Sequence, residues 1–423
     1  MGGSARSRTT VRTTTGSTTH RPVRLASWRR GRRGSPACSV RSRDEGSRVR
    51  GCVLGGALGD ALGAPIEFSS IGAIRAQYGP DGVTGLVAGD GMVGLVTDDT
   101  QMTLFTLEGL LRADVRFVGK GICHVPSVVR FAYLRWLDTQ EHSAPPPRDG
   151  DDDEHFFRDG WLREQRWLYA RRAPGNACLS GLRTEFGRSA SFGRPGPVNP
   201  GSKGCGTVMR SAPFGLGGAH ARQTFEMAAE CAQITHGHPT GYLAAGAFAA
   251  LIQFLVQGSP LPQAVAATLD LLAEYPSHQE TTQALCAAVA LAGDGDPSPE
   301  KVERLGGAWV AEEALAIAVY CALAELPAAP SRGGGFGSYR GISRFQRALL
   351  LAVNHSGDSD STGAMVGNIL GAAHGDLVLP GDWLVQLEGR AVITELADDF
   401  ATQMADGCAM AHSTAWFTKY PGG

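Results

Sequence analysis

Apolar residues recur along most of the chain at intervals of three and four. No strand-length run alternates apolar with polar, so the pattern predicts an all-α protein. The first helix should start near Val49, where Gly51, Gly55, Gly59 and Gly63 return every fourth residue among Val53, Leu54, Ala57, Leu58, Ala61 and Leu62. On a helix these glycines share one smooth face, which suits close approach by another backbone at some cost in helix propensity. Further helices are expected from Met102 to Leu111, from Trp161 to Arg172, and then at Phe225–Gln233, Gly241–Val256, Leu261–Ala273, Thr281–Ala292, Trp309–Leu323 and Phe345–Val353. An apolar run at Ala364–Ala373 and an amphipathic helix at Trp383–Met404 complete the set. Glycine-rich or acidic connections at 79–94, 139–160, 187–201 and 333–341 read as loops.

Two polar knots interrupt this text. In one, Asp358, Ser359, Asp360, Ser361 and Thr362 stand between Gly357 and Gly363. Hard oxygen donors at this density suit Mg²⁺, Mn²⁺ or Ca²⁺ rather than zinc, whereas a helix cap would need a single oxygen. The start imitates a calcium-binding EF-hand loop, but its twelfth position is Ile369 where a bidentate Glu belongs, which excludes that site. In the other knot Thr97 is a natural cap, with Asp98 and Asp99 in the first turn where the helix dipole favours them. Brought together, two such knots about 260 residues apart would supply six oxygen ligands, enough for two metal ions. Asp60 inside the glycine helix and Glu67 just beyond Pro65 are acids in an apolar setting and need partners.

Gly204-Cys205-Gly206 is not a Walker A loop, because Lys203 precedes the glycines. It suits a nest of backbone N–H groups for a diphosphate, though a tight turn would need the same glycines. His236-Gly-His238 has no acidic or cysteine neighbours and reads more readily as a turn with one structural histidine than as a metal pair.

Composition narrows the class. A chain of 423 residues with 43% hydrophobic content can bury a large core, and no run approaches 18 uninterrupted apolar residues, which argues against a membrane span. Nine cysteines, scattered singly from Cys38 to Cys408, fit a reduced cytoplasmic protein and argue against a zinc site or a disulfide frame. Residues 1–50 hold thirteen arginines against Asp44 and Glu45, while the rest carries 26 basic and 39 acidic residues. So acidic a body is a poor nucleic-acid platform, leaving the basic head as the one stretch suited to weak nucleic-acid or acidic-surface contact. Residues 1–48 read as a disordered Arg-rich tail, 49–412 as one domain and 413–423 as a short C-terminal tail. Neither a secretory h-region nor a myristoylation signal accompanies the basic start.

In their order and spacing, the blocks at Gly51–Phe68, Thr97–Thr100, Pro174–Arg183, Gly204–Pro213, Thr235–Pro239 and Gly357–Gly371 resemble the ADP-ribosylglycohydrolases, over about residues 50 to 400. The resemblance implies a single orthogonally packed helical bundle with a dinuclear Mg²⁺ or Mn²⁺ centre in a cleft. It implies that Thr97, Asp98, Asp99, Asp358, Asp360 and Ser361 hold the metals, with Asp360 bridging both and Ser361 standing where many relatives have Thr. Glu67 matches a mobile acidic residue near the metals. Gly204, Cys205 and Gly206 would hold the diphosphate, Cys205 replacing an Asn of some relatives, and His236, Ser356 and Gly357 would line the ADP-ribose pocket. Glu67, Asp98 and Asp360 are the candidate catalytic carboxylates. The implied activity is removal of ADP-ribose from modified protein, foremost from arginine; serine-linked, nucleobase-linked or free ADP-ribose derivatives are the alternatives. A catalytically silent ADP-ribose binder would lack a carboxylate, yet every expected acidic position is filled. A two-metal phosphohydrolase would use the same ligands, and only the resemblance argues against it.

Overall fold

The computed structural model describes residues 1, 38–89, 91–147, 158–217, 220–324, 342–406 and 413–422, with backbone alone at 38–43 and 406. The longer helices are α1 (Cys38–Gly63), α2 (Asp98–Lys120), α3 (Val125–Glu141), α4 (Ala221–Ala232), α5 (Pro239–Val256), α6 (Leu261–Leu272), α7 (Gln279–Ala292), α8 (Ala311–Leu323), α9 (Arg344–Val353), α10 (Ser359–His374) and α11 (Arg390–Asp406). Among the described residues strand is confined to a two-residue antiparallel pair, Ala88–Gly89 with Met92–Val93, so the all-α expectation holds.

Helix α5 runs through the middle, packed by α4, α6, α8, α10 and a short helix at Ala212–Gly217. Its 18 residues have a mean hydropathy of 1.5, enough in length and composition for a membrane span although the chain has no unbroken apolar run. Here 94% of it lies inside the protein, as a core helix requires.

The smooth face expected on α1 meets α10 backbone to backbone, in antiparallel order. A Cβ added at Gly59 would lie 2.0 Å from Gly363 O, one at Gly55 2.5 Å from Gly367 O, and one at Gly51 2.6 Å from Gly371 O. The converse also holds: Cβ atoms on Gly363, Gly367 and Gly371 would stand 2.4, 1.9 and 1.9 Å from the carbonyl oxygens of Gly59, Gly55 and Gly51. The seam ends where a Cβ on Gly63 would fall 2.4 Å from Asp360 N, which sets the end of the first helix against the second polar knot.

Several expected boundaries shift. Helix α1 begins at Cys38 and not at Val49. The end of the expected tail is anchored, with Arg48 Nη1 donating to the carbonyls of Leu255, Ala372 and Ala373 at the ends of α5 and α10, and Ser47 Oγ donating to Asp376. Residues 2–37 lie outside the described residues. Trp161 to Arg172 forms two 3-10 turns, Leu162–Glu164 and Arg166–Leu168, in place of a helix. The Trp383–Met404 helix is split between Gly381–Gln386 and α11, with Gly389 at φ 65° in the break. Residues 413–422 are docked rather than a free tail: Trp416 and Tyr420 are buried, Tyr420 Oη donates to Asp399, and Arg112 Nε donates to Pro421 O. The expected loop at 333–341, the acidic stretch at 148–157 and residues 407–412 fall outside the described residues.

The seam predicts its own weak point. Gly59→Ala should cost at least about 3 kcal/mol or prevent folding, since backbone must move on both helices. Gly46→Ala, whose nearest contact would be Arg50 Nη1 at 3.8 Å, should be neutral or mildly stabilising. Thermal melting of the two variants compares them directly; equal melting temperatures would contradict the packing.

Candidate metal and substrate site

Gly357 introduces the second knot with φ 152°, and a Cβ there would stand 2.2 Å from Gly307 O. Asp358 N–H then donates to the same carbonyl at 3.0 Å, and α10 starts at Ser359. Glu67 follows the 3-10 turn Ala64–Ile66 that Pro65 begins at the end of α1. One carboxylate oxygen from each of Glu67, Asp358 and Asp360 lies within 4.8 Å of the other two.

The first knot is tied to this group through Asp60. Its carboxylate accepts from Thr97 N (3.0 and 3.1 Å), Thr97 Oγ1 (2.9 Å), Thr100 N (3.1 Å) and Thr100 Oγ1 (2.5 Å). Thr97 Oγ1 in turn accepts from Asp99 N at 3.3 Å, the expected cap of α2. Asp98 accepts from Gly175 N at 3.4 Å. The partner that Asp60 needed is therefore the turn that carries Thr97, Asp98 and Asp99.

Electrostatically the cluster is overloaded with negative charge. Burial, followed by the charge of Asp360, pushes Asp60 up to about 7 and Glu67 up to about 10, and lifts Asp98, Asp99 and Asp358 well above the usual carboxylate range. Asp360 itself is raised by burial. Among the described residues none of these six acids pairs with an Arg or Lys. Asp99 Oδ1 is buried and finds no hydrogen-bond partner there. Buried carboxylates with an orphaned oxygen, set beside hydroxyls, are a donor set that fits a hard divalent cation.

The substrate-binding candidates lie around this centre with differing fortunes. Cys205 Sγ donates to Ser361 Oγ at 3.0 Å, joining the Gly204–Gly206 turn to the second knot. Cys205 N donates to Trp309 O at 3.2 Å, which removes that N–H from the nest the glycines were expected to offer. His236 is buried against this turn: a Cβ at Gly204 would lie 3.2 Å from its Nε2. Thr235 Oγ1 accepts from Arg210 Nη2 at 2.7 Å and shares a hydrogen bond with His236 Nδ1 at 2.8 Å, which either atom can donate. Burial and the nearby Arg210 lower the His236 pKa to about 3, so the imidazole is neutral. His238 caps α5 by accepting from Thr240 N at its Nδ1. Ser356, expected along the pocket, donates its hydroxyl to Glu303 (2.5 Å) and accepts from Ile71 N (2.9 Å). Arg210 went unread although it was signalled by its charge within the apolar stretch Val208–Pro213. It is fully buried, donates also to Cys178 Sγ (3.2 Å), and lies 4.4 Å over the Tyr133 ring.

A family model, ADP-ribosylglycohydrolase, matches residues 41–409. The chain belongs to the ADP-ribosylglycohydrolase family. It is thus a hydrolase of ADP-ribosyl glycosidic bonds. It is 24% identical over 343 residues to the ADP-ribosyl-[dinitrogen reductase] glycohydrolase of Rhodospirillum rubrum, covering 81% of this chain and 90% of that one. The ADP-ribosylhydrolase ARH3 of Mus musculus is 26% identical over 373 residues, with 81% and 88% covered. The ADP-ribosylarginine hydrolase Tri1 of Serratia proteamaculans is 22% identical over 368 residues, with 86% and 81% covered. A solved structure described as an ADP-ribosylglycohydrolase-related protein complex shares the fold, with a TM-score of 0.50, 23% identity, and 86% of this chain and 99% of that chain covered.

Raised carboxylate pKa values carry a sign. Their contribution to stability is full below the unfolded value near 4 and is lost as pH rises through the folded values, about 7 for Asp60 and about 10 for Glu67. Metal-free protein should therefore lose stability across that window, and Mg²⁺ or Mn²⁺ should raise the melting temperature more at pH 9 than at pH 5. A metal effect that is absent, or that shrinks with pH, would contradict the cluster's role.

Proposed function

We propose that the enzyme removes ADP-ribose from modified arginine on proteins in a divalent-metal-dependent hydrolysis. The observation that carries this reading is the group of six buried acids without a cationic partner among the described residues, in a chain of this family. Thr97, Asp98, Asp99, Asp358, Asp360 and Ser361 would hold two Mg²⁺ or Mn²⁺ ions, and the charge of Asp360, which acts on all the other acids, fits the shared position. Bound there, the ions would supply Lewis acidity toward the distal ribose.

The chain's own residues do the rest. The Gly204–Gly206 turn, with His236 packed against it, receives the diphosphate side of the substrate. Glu67 delivers a proton to the departing guanidine nitrogen as its bond to C1″ breaks, while water adds its hydroxyl to C1″ and yields a proton to a carboxylate. Glu67 suits this role better than Asp98, which already accepts from Gly175 N. Support for arginine comes from the relative named as an ADP-ribosylarginine hydrolase; similarity at 26% to a relative named ARH3 favours a second reading, in which the same centre acts on another ADP-ribose linkage.

Purified enzyme with Mg²⁺ or Mn²⁺ should release ADP-ribose from arginine-modified protein, and EDTA should stop it. Release from serine-modified protein alone would replace the arginine reading with the second. Asp360→Asn should lower turnover by at least about a thousandfold and weaken metal binding with helical content unchanged, as circular dichroism and calorimetry would measure. Full activity of that variant would remove the metal assignment.

A further inference from the structure

Phe68 and Trp309 come from positions 241 residues apart, yet their rings stack with centroids 5.6 Å apart and planes 15° apart. Both are large apolar side chains left in water, Phe68 at 75% and Trp309 at 47% exposure. A stacked aromatic pair left this exposed, beside a buried acidic cluster, is a contact surface for a ligand group.

The location says what the pair faces. Phe68 directly follows Glu67, whose carboxylate belongs to the cluster with Asp358 and Asp360. Trp309 sits in a short loop pinned at both ends: Gly307 O accepts from Asp358 N at 3.0 Å, and Trp309 O accepts from Cys205 N at 3.2 Å. The platform is therefore held by the backbone of a proposed metal ligand and by the glycine turn, and its Phe68 side borders the acid assigned to the leaving group. That is the end of the site where the group bonded to C1″ departs.

We infer that Phe68 and Trp309 form the subsite for the modified side chain, receiving the planar guanidinium of arginine on an aromatic face. This rests on the arginine reading above. A guanidinium is flat, cationic and weakly hydrated, so it stacks well on Trp. A serine aglycone offers neither a cation nor a flat face and gains nothing from such a platform.

The test uses full-length enzyme, arginine-modified and serine-modified protein, and the variants Trp309→Ala, Phe68→Ala and Trp309→Phe. Each alanine variant should raise KM for the arginine substrate about tenfold, the scale of one partly desolvated cation–π contact, with kcat little changed. Trp309→Phe should recover most of the loss. Binding of free ADP-ribose, measured by calorimetry, should stay within about twofold, since the platform lies outside that moiety. Unchanged KM in both alanine variants would overturn the subsite. So would a parallel fall in ADP-ribose affinity, which would place the rings on the nucleotide instead. Wild-type enzyme that cleaves only the serine substrate would fail the arginine reading itself, and the guanidinium platform with it; wild-type arginine cleavage matched by the variants fails the platform alone.

Discussion

Two helices without side chains on their facing sides determine where the chemistry sits. Because Gly51, Gly55, Gly59 and Gly63 of α1 lie against Gly371, Gly367, Gly363 and the Ser359–Asp360 peptide of α10, the axes come as close as backbones allow. At that spacing α1 delivers Asp60 and, one turn past its end, Glu67 beside the knot at the start of α10. Any Cβ in the seam would push the acids of one helix away from those of the other. Glycine inside a helix costs about 1 kcal/mol relative to alanine, so a seam of seven is a substantial sacrifice of local stability for one tertiary contact.

What that contact assembles is unfavourable in isolation. Asp60, Glu67, Asp98, Asp99, Asp358 and Asp360 are all buried. Removing an ion from water costs several kcal/mol even after relaxation, and like charges nearby add to it. Asp60 is partly compensated, since four donors from Thr97 and Thr100 surround its carboxylate. Asp99 has an oxygen with no such compensation. The helical frame, whose core runs from α1 through α5 to α10, supplies the stability that lets this concentration of charge persist, and a bound cation converts the same repulsion into affinity.

Much of this was legible in the chain. The four-residue glycine rhythm of α1 predicted a close backbone neighbour, and the two acidic knots predicted a joint oxygen-rich site. The identity of the neighbour was also written, since Gly363, Gly367, Gly371 and Gly375 repeat the same interval; read as an apolar run, that segment hid its second face. Other features left no local signal. Arg48 lies in a stretch whose composition reads as disordered, and only the tertiary fold brings three helix-end carbonyls to its guanidinium. The 3-10 turns at Leu162–Glu164 and Arg166–Leu168 bury Leu162 and Leu168 much as a helix would, so apolar spacing alone cannot separate the two. The loop around Gly357 turns the Ser356 hydroxyl toward Glu303, a distant partner that no local pattern marks.

The last element to account for is a positive charge placed opposite all this negative one. Arg210 is buried without a carboxylate partner among the described residues, held by Thr235 Oγ1, Cys178 Sγ and the face of Tyr133. An unneutralised interior cation is as costly as an anion, so its retention calls for a function of its field. Through Thr235 it is linked to His236, and burial together with its charge keeps that imidazole neutral. The imidazole lies against the Gly204–Gly206 turn. The acids draw cations to their own cluster, and Arg210 lends a positive potential behind the glycine turn, which would suit a diphosphate held there.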